Sequence, residues 1–246
     1  MKIIGIIPAR YDSSRFPGKP LADIAGKSMI QRVYSQVKAA KCLDEVIVAT
    51  DDPRIEEHVR SFAGNVVMTA KDHQSGTDRC AEVVSKVAGF DIAVNIQGDE
   101  PFIDPQQIEL LVSCFQNPDT AIATLVKEIT TEEELFNENT PKVTRDIKGR
   151  AIYFSRQTIP FIRGEAKGGN WLRKQQFFKH IGIYAYRCET LLELTKLPIS
   201  SLEKAEALEQ LRWIENGFPI QTAITQHETV AVDTPQDLEA ILKKYF

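Results

Sequence analysis

Three cations follow the first apolar segment of the chain, Ile3–Ile7, within a single loop. They are Arg10, Arg15 and Lys19, and Gly18 directly precedes the lysine. A guanidinium group can bind two phosphate oxygens at once, lysine supplies a mobile point charge, and glycine lets the backbone approach an oxyanion closely. The loop therefore predicts a phosphate-bearing ligand, although a solvated loop with its cations in water is the plainer alternative.

Two acidic residues, each close to the carboxyl end of a predicted strand, suit a divalent cation. Asp99 follows Ile92–Ile96 in the motif Q-G-D-E-P, and Asp233 follows Val230–Val232. Mg²⁺ binds through one or two carboxylates together with phosphate oxygens, so we expect both acids to be metal ligands. An acidic turn is the alternative at Asp99, and helix capping is the alternative at Asp233, a role that Thr234 could fill.

A third polar segment opens a predicted helix and contains Ser75, Gly76 and Thr77. Hydroxyls and backbone N–H groups at a helix start can bind a base or a sugar, and Gly76 permits a close approach. Ser75 or Thr77 could equally cap the helix, and the two roles are compatible.

These loops leave the ends of predicted strands. Alternating strands and helices of this length indicate an α/β fold with a mostly parallel sheet and helices on both faces. Ligands of such sheets bind beyond the carboxyl ends of the strands, where the three loops begin. The predicted strands are 3–7, 46–49, 66–68, 92–96 and 121–126, and the predicted helices begin near residues 28, 52, 77 and 105.

The pattern changes in the second half of the chain. Between about residues 142 and 187, strand-like segments at 151–155 and 180–186 flank a glycine-rich, basic stretch. We interpret residues 1–246 as one domain with an inserted subdomain or lid at about 142–187. A helix is predicted over 203–216, strands at 220–224 and 230–232, and a last helix from Thr234.

Composition and charge exclude several classes of protein. The chain has 30 Lys and Arg and 34 Asp and Glu residues. The resulting net charge of −4 gives no positive electrostatic field that would attract nucleic acid or anionic lipid. The four widely spaced cysteines suggest neither a zinc site nor a disulfide framework. No P-loop, G-x-G-x-x-G or G-x-S-x-G motif occurs where ATPases, dinucleotide enzymes or serine hydrolases need one. Without a signal or membrane-spanning segment, we expect a cytoplasmic protein that binds neither nucleic acid nor membrane.

Eight motifs along the chain carry a family resemblance. They are IIPARYDSSRFPGKP at 6–20, VATD at 48–51, DHQSGTDR at 72–79, QGDEP at 97–101, YFSR at 153–156, HIGIY at 180–184, LEQLR at 208–212 and VDTP at 232–235. In this order they resemble the 3-deoxy-manno-octulosonate (Kdo) cytidylyltransferases over essentially the whole chain.

The resemblance implies a nucleotidyltransferase fold with a mixed central sheet and a smaller subdomain used in homodimerisation. It implies the reaction of CTP with Kdo to give CMP-Kdo and diphosphate for lipopolysaccharide synthesis, with Mg²⁺ as cofactor. Matching motifs assign the triphosphate to Arg10, Arg15 and Lys19, nucleotide placement to Ser75, Gly76, Thr77 and Gln97, the metal to Asp99 and Asp233, and the sugar acid to Arg156, His180, Tyr184, Glu209 and Gln210.

Charge neutralisation and alignment are expected to supply most of the catalysis, because an anionic sugar must approach an anionic triphosphate. Lys19, Arg10, Asp99 and Asp233 are the expected catalytic residues. A side-chain base is not required, and His180 is the alternative if one exists. The rival functions are CMP transfer to 8-amino-Kdo or a sialic acid, and nucleotide binding without catalysis.

Overall fold

The computed structural model describes residues 1–12, 15–228 and 230–245. The chain divides into two compact units. Unit 1 comprises Met1–Glu109, Ala185–Thr195 and Glu228–Phe246, and unit 2 comprises Leu110–Tyr184 and Lys196–His227.

The described residues form β-strands and α-helices that alternate over much of the chain. The strands are β1 Ile3–Ala9, β2 Asp23–Ile24, β3 Lys27–Ser28, β4 Glu45–Thr50, β5 Val66–Met68, β6 Ile92–Asn95, β7 Ile122–Glu128, β8 Lys142–Arg145, β9 Ala151–Ser155, β10 Phe178–Arg187 and β11 Ile220–Ile224. The helices are α1 Met29–Lys38, α2 Pro53–Ser61, α3 Gly76–Lys86, α4 Pro105–Ser113, α5 Glu132–Phe136, α6 Trp171–Lys174, α7 Cys188–Leu194, α8 Ser201–Glu206, α9 Gln210–Glu215 and α10 Pro235–Tyr245.

Unit 1 contains four parallel strands in the order β5-β4-β1-β6. Ile4, Ile6 and Ile7 of β1 are fully buried although neighbouring side chains alternate between the two faces, as expected for a central strand covered on both sides. Because the strands are parallel, β1, β4, β5 and β6 all end at the same edge of the sheet. The α/β prediction is confirmed here, and the three polar loops begin at this edge.

Side-chain caps fix where the helices of unit 1 begin. The Ser28 hydroxyl accepts a hydrogen bond from the backbone N–H of Gln31, and the Asp52 carboxylate accepts one from Arg54 N–H. Ser75 and Asp78 form a reciprocal capping box at the start of α3. Such caps satisfy N–H groups that have no partner within the helix, so each strand-end loop stops at a defined residue.

Unit 2 mixes strand directions. β11 and β7 are parallel, whereas β10 pairs with β8 and β8 with β9 in antiparallel fashion. The predicted mixed, mostly parallel sheet is therefore confirmed. The glycine-rich stretch is anchored by Trp171, which is buried with Ile129, Leu135 and Phe177. The narrower boundaries predicted for the inserted subdomain, about 142–187, stay a prediction.

Two predicted elements were wrong. The helix expected over 203–216 is interrupted at Ala207, whose left-handed φ of 50° separates α8 from α9. The carbonyls of Glu206 and Ala207 instead accept hydrogen bonds from the Arg156 guanidinium. The segment 230–232 is not a strand. Among the described residues, its backbone contact with the loop after β6 is one hydrogen bond, from Val232 N to Asp99 O at 2.9 Å.

Candidate active site

An open cleft of about 390 Å³ lies at the carboxyl ends of β1 and β6 in unit 1. Both strands end there in loops that carry the predicted phosphate and metal residues. The lining residues are Pro8, Ala9, Arg10, Asp12, Arg15, Lys19, Pro20, Gln97, Gly98, Asp99 and Asp233. The cleft therefore gathers six of the predicted site residues.

Two close backbone approaches bring the acidic loops to the end of β1. A Cβ on Gly98 would lie only 2.6 Å from the carbonyl oxygen of Pro8, so this position is packed tightly enough to require glycine. Val232 N–H donates to Asp99 O at 2.9 Å, which draws the next residue, Asp233, toward the same loop. The two acids, distant in sequence, consequently face one cleft.

Thr234, and not Asp233, caps the last helix. The Thr234 hydroxyl accepts from Asp237 N–H, and the Asp237 carboxylate accepts from the N–H groups of Asp233 and Thr234. The hydrogen bond from Thr234 favours the ionised Asp237 carboxylate more than burial opposes it, so the pKa of Asp237 is lowered. The Asp233 carboxylate is thereby left available to the cleft.

The cations of the first loop pair with these acids. Lys19 Nζ lies 2.7 Å from Asp99 Oδ2 and 3.4 Å from Asp233 Oδ1. Arg15 Nη2 lies 3.1 Å from the same Asp233 oxygen. Gly18, at a positive φ of 72°, sets the turn from which Lys19 projects, and its N–H donates to Tyr11 O at 2.9 Å. Attraction between unlike charges therefore holds the cleft together.

Arg10 links the first loop to the segment before α3. Its guanidinium donates to the carbonyl oxygen of His73, whose ring is hydrogen-bonded to Glu82. Partial burial opposes the charge of Glu82, but hydrogen bonds from Lys86, Ala70 N–H and His73 lower its pKa to about 2. A carboxylate that is ionised at physiological pH thus orients His73, whose carbonyl oxygen binds Arg10.

The predicted nucleotide residues lie beside this cleft. Ser75 caps α3, Gly76 is its first residue, and Thr77 is buried in its first turn. A Cβ on Gly76 would lie 3.5 Å from the Pro8 side chain, an ordinary contact, so packing alone does not require glycine there. Gln97 lines the cleft itself.

Glu100 differs sharply from its neighbour Asp99. It is 7% exposed, and its Oε2 has no hydrogen-bond partner within the described residues. Burial, with a contribution from the Asp99 charge, raises the pKa of Glu100 to about 8. A mostly protonated Glu100 adds little negative charge to the loop, so the acidic character of Q-G-D-E-P rests on Asp99.

Sequence reasoning missed two supporting pairs. The Arg54 guanidinium lies 3.3 Å from the centroid of the Tyr11 ring and is held by Asp52, so a residue of α2 buttresses the first loop. Arg79, fully buried in α3, pairs with Asp51 at 3.0 Å at the end of β4. Asp51 and Arg79 lie in the motifs VATD and DHQSGTDR. The signal available in the sequence was therefore an acidic residue in one family motif and a basic residue in another.

The residues predicted to bind the sugar acid form a cluster in unit 2. Arg156, directly after β9, bonds to the turn that precedes α9. Tyr184 is buried, packs edge-on against Trp213 and feels the charge of Glu209, and both burial and that charge raise its pKa. Gln210 is 4% exposed, and its Nε2 has no hydrogen-bond partner within the described part of the chain.

His180 belongs to the same cluster. Its Nε2 lies 3.1 Å from Thr124 Oγ1, and its ring contacts those of Phe154 and Tyr184 with centroids 5.2 Å apart in each case. Burial lowers the pKa of His180 to about 4. The imidazole is therefore neutral at physiological pH.

Residues 1–12, 15–228 and 230–245 lack two kinds of feature. They contain no group of three or more His, Cys, Asp or Glu side chains placed to hold a metal ion. They also contain no helix with the length and apolar character needed to cross a membrane. All four cysteines are free thiols.

Comparison with known proteins identifies the family. A family model described as cytidylyltransferase matches residues 4–228. A relative from Parabacteroides distasonis named 3-deoxy-manno-octulosonate cytidylyltransferase is 57% identical, with 98% of this chain and 97% of the relative covered. A solved structure of CMP:2-keto-3-deoxy-manno-octonic acid synthetase complexed with CTP is 44% identical with a TM-score of 0.92, covering 99% of this chain and 98% of that one.

A more distant structure extends the likeness of fold alone. The 4-diphosphocytidyl-2C-methyl-D-erythritol synthase from Anaerococcus prevotii is 10% identical, with a TM-score of 0.62 over 99% of this chain and 97% of that one. The fold is thus that of nucleotidyltransferases, as predicted. By the family match over most of its length and by its close relatives, the chain belongs to the cytidylyltransferase family.

Proposed function

We propose that this protein transfers the cytidylyl group of CTP to Kdo, releasing diphosphate and forming CMP-Kdo. The observation that carries the proposal is the cleft of unit 1, where Lys19 and Arg15 face Asp99 and Asp233 from separate loops. The names of the close relatives favour Kdo over a related sugar acid as the acceptor.

The chemical step requires an oxygen nucleophile to reach an anionic phosphorus. The C2 hydroxyl oxygen of Kdo forms a bond to the α-phosphorus, the bond from that phosphorus to the β-phosphate oxygen breaks, and the hydroxyl proton passes to solvent. Arg10, Arg15 and Lys19 line the cleft and can neutralise the triphosphate and the departing diphosphate.

The cleft acids fit a hard divalent cation. Asp99 and Asp233 already hold one positive group between them, the Lys19 ammonium, and both carboxylates remain partly exposed, at 26% and 42%. Oxygen ligands of this type suit Mg²⁺, which usually completes its shell with substrate phosphates and water. When bound, Mg²⁺ would supply Lewis-acid charge that offsets the phosphate oxygens. Asp99 and Asp233 are the residues that would hold it.

The cluster in unit 2 supports recognition of a polyhydroxylated acid. The buried amide of Gln210 offers N–H donors without a partner among the described groups, and a hydroxyl or carboxylate of the sugar would satisfy them. Neutral His180 can accept or donate a hydrogen bond without burying a charge. These roles, and that of His180 as the alternative base, are part of the proposal.

A diphosphate-release assay tests the function. CTP, UTP, GTP and ATP are each combined with Kdo, 8-amino-Kdo and a sialic acid. We expect release only with CTP, and fastest with Kdo. Asp99→Asn should abolish turnover, whereas Asp119→Asn, an exposed acid of unit 2, serves as the matched control. Release from another sugar acid in preference to Kdo would reassign the acceptor, and CTP binding without release from any of them would refute catalysis.

The homodimer and the cytoplasmic location expected from the sequence stay predictions. Several large apolar side chains of unit 2 are exposed, which supports a contact with a second copy; they are Ile147, Ile152, Phe161, Ile199 and Ile224. Sedimentation equilibrium distinguishes monomer from dimer, and fractionation of the source cells tests the location.

A further inference from the structure

The Lys19 ammonium occupies the space between the two acids that would hold a metal. It lies 2.7 Å from Asp99 Oδ2 and 3.4 Å from Asp233 Oδ1, and the lysine side chain is only 13% exposed. Arg15 adds a second positive group 3.1 Å from the Asp233 oxygen. The charges of both cleft acids are thus met by cations of the first loop.

These contacts of Lys19 are not compatible with a metal ion bound by the same two carboxylates at the same time. A divalent cation bound by both carboxylates would lie close to the ammonium that they hold, and two like charges at that distance repel strongly in a partly buried site. The cation would also have to replace hydrogen bonds that the carboxylates already make. A metal ion alone brings nothing to the cleft that could compensate the displaced ammonium.

Nucleotide phosphates would bring that compensation. The backbone at Lys19 is fixed, since its N–H donates to Phe16 O at 3.1 Å and its carbonyl accepts from Ala22 N–H at 3.1 Å. The four-carbon side chain beyond it is flexible, and Lys19 lines the cleft proposed for the triphosphate. The ammonium can therefore exchange carboxylates for phosphate oxygens without movement of the loop.

We propose that Lys19 closes the two-carboxylate site to divalent cations until the phosphates of a nucleotide draw its ammonium away. Metal and nucleotide then bind as a linked pair, and each raises the affinity for the other by the same factor. This inference rests on the proposed function for the identity of the nucleotide, CTP. It assigns Lys19 a role in the free protein in addition to any contact with phosphate.

Binding of Mn²⁺ to the nucleotide-free protein tests this role, with free Mn²⁺ measured by electron paramagnetic resonance. Lys19→Met removes the charge and keeps most of the side-chain length, and we expect it to raise Mn²⁺ affinity at least tenfold. Lys27→Met, which alters an exposed lysine of β3, is the matched control and should leave the affinity unchanged. Adding Asp99→Asn to Lys19→Met should remove the gain.

Equal Mn²⁺ affinity in the wild type and Lys19→Met would overturn the inference, and so would a gain that survives Asp99→Asn. If Lys19→Met does not fold, Lys19→Gln and Arg15→Met provide the same comparison, with a smaller gain expected for Arg15→Met. The thermal midpoint gives a second readout, because 10 mM Mg²⁺ should raise it in Lys19→Met and not in the wild type, in accordance with linkage of binding to stability.

The outcome is separable from that of the proposed function. Diphosphate release with CTP and Kdo but no effect of Lys19 on Mn²⁺ binding would refute only the closed site. A gain in Mn²⁺ affinity without release from any sugar acid would retain the closed site and refute the catalytic assignment.

Discussion

Replacing Gly98 by alanine perturbs the backbone packing that supports the active site, without removing a charged group. The added Cβ would lie 2.6 Å from the carbonyl oxygen of Pro8, whereas ordinary contacts begin at 3.4 Å. The atom it meets is backbone, so no side chain can rotate away. The end of β1 and the loop after β6 must therefore separate by about 0.8 Å.

That separation affects catalysis through Arg10, two positions after Pro8, and Asp99, one position after Gly98. Arg10 and Asp99 move apart with the segments that carry them. A misplacement of about 1 Å in an active site costs on the order of a hundredfold in rate, so we expect kcat to fall about 10- to 100-fold. Overpacking should also cost about 1 to 3 kcal/mol in the free energy of unfolding.

Steady-state diphosphate release gives kcat, and urea unfolding gives the stability. Gly76→Ala is the packing control, because its Cβ would have 3.5 Å of room against Pro8, and its unfolding free energy should change by less than about 0.5 kcal/mol. An unchanged kcat and urea midpoint for Gly98→Ala would refute the argument that the contact between these backbone segments sets the site geometry.

Three further predictions concern groups around the two clusters. Burial lowers the pKa of His180 to about 4 from an ordinary value of 6.5, so the unfolded chain binds a proton in this range before the folded protein does. The free energy of unfolding should therefore fall by about 3 kcal/mol between pH 7 and 4, and His180→Gln should flatten this dependence in urea titrations at the two pH values. Arg54→Ala should raise the KM for CTP about 3- to 10-fold without changing that for Kdo, since the cation–π contact with Tyr11 supports the first loop. An unchanged KM for CTP would contradict this supporting role. Asp51→Asn should cost about 3 kcal/mol in unfolding free energy by leaving Arg79 buried without a counter-charge, and a loss below about 1 kcal/mol would show that the pair is not needed.

The repeated strand–loop–helix pattern was predictable because its signals are local. β-branched runs, Ser28 and Asp52 as caps, and the proline that follows Asp52 each act within a few residues. Since parallel strands end at one edge, the pattern also predicted which loops would meet. This rule, together with the charges of the loops, predicted which edge of the sheet would hold the candidate site.

The errors arose where distant residues decide the local conformation. Residues 203–216 favour a continuous helix, but the guanidinium of Arg156 binds the carbonyls of Glu206 and Ala207 and stabilises a break. The segment at 230–232 forms, within the described part of the chain, one backbone hydrogen bond to the loop after β6, from Val232 N to Asp99 O. Local propensity contains no information on either contact.

Side-chain pairing within the site was equally beyond the sequence. Lys19 was expected on phosphate and the acids on metal, whereas in the structure they contact one another across 80 and 214 positions of the chain. Spacing cannot reveal such a pair. The cap at Thr234, by contrast, was foreseen as an alternative, because the Thr-x-x-Asp spacing is itself a local signal.

The return of residues 228–246 to unit 1 has a consequence for biosynthesis. Asp233 reaches the cleft only after unit 2 has been synthesised, because the whole of Lys196–His227 precedes it. A nascent chain that ends between Asp99 and Asp233 carries Asp99 and every loop cation yet lacks the second acid. Such a polypeptide would contain the cations of the phosphate-binding loop and half of the acidic pair, so a complete site must await the synthesis of Asp233.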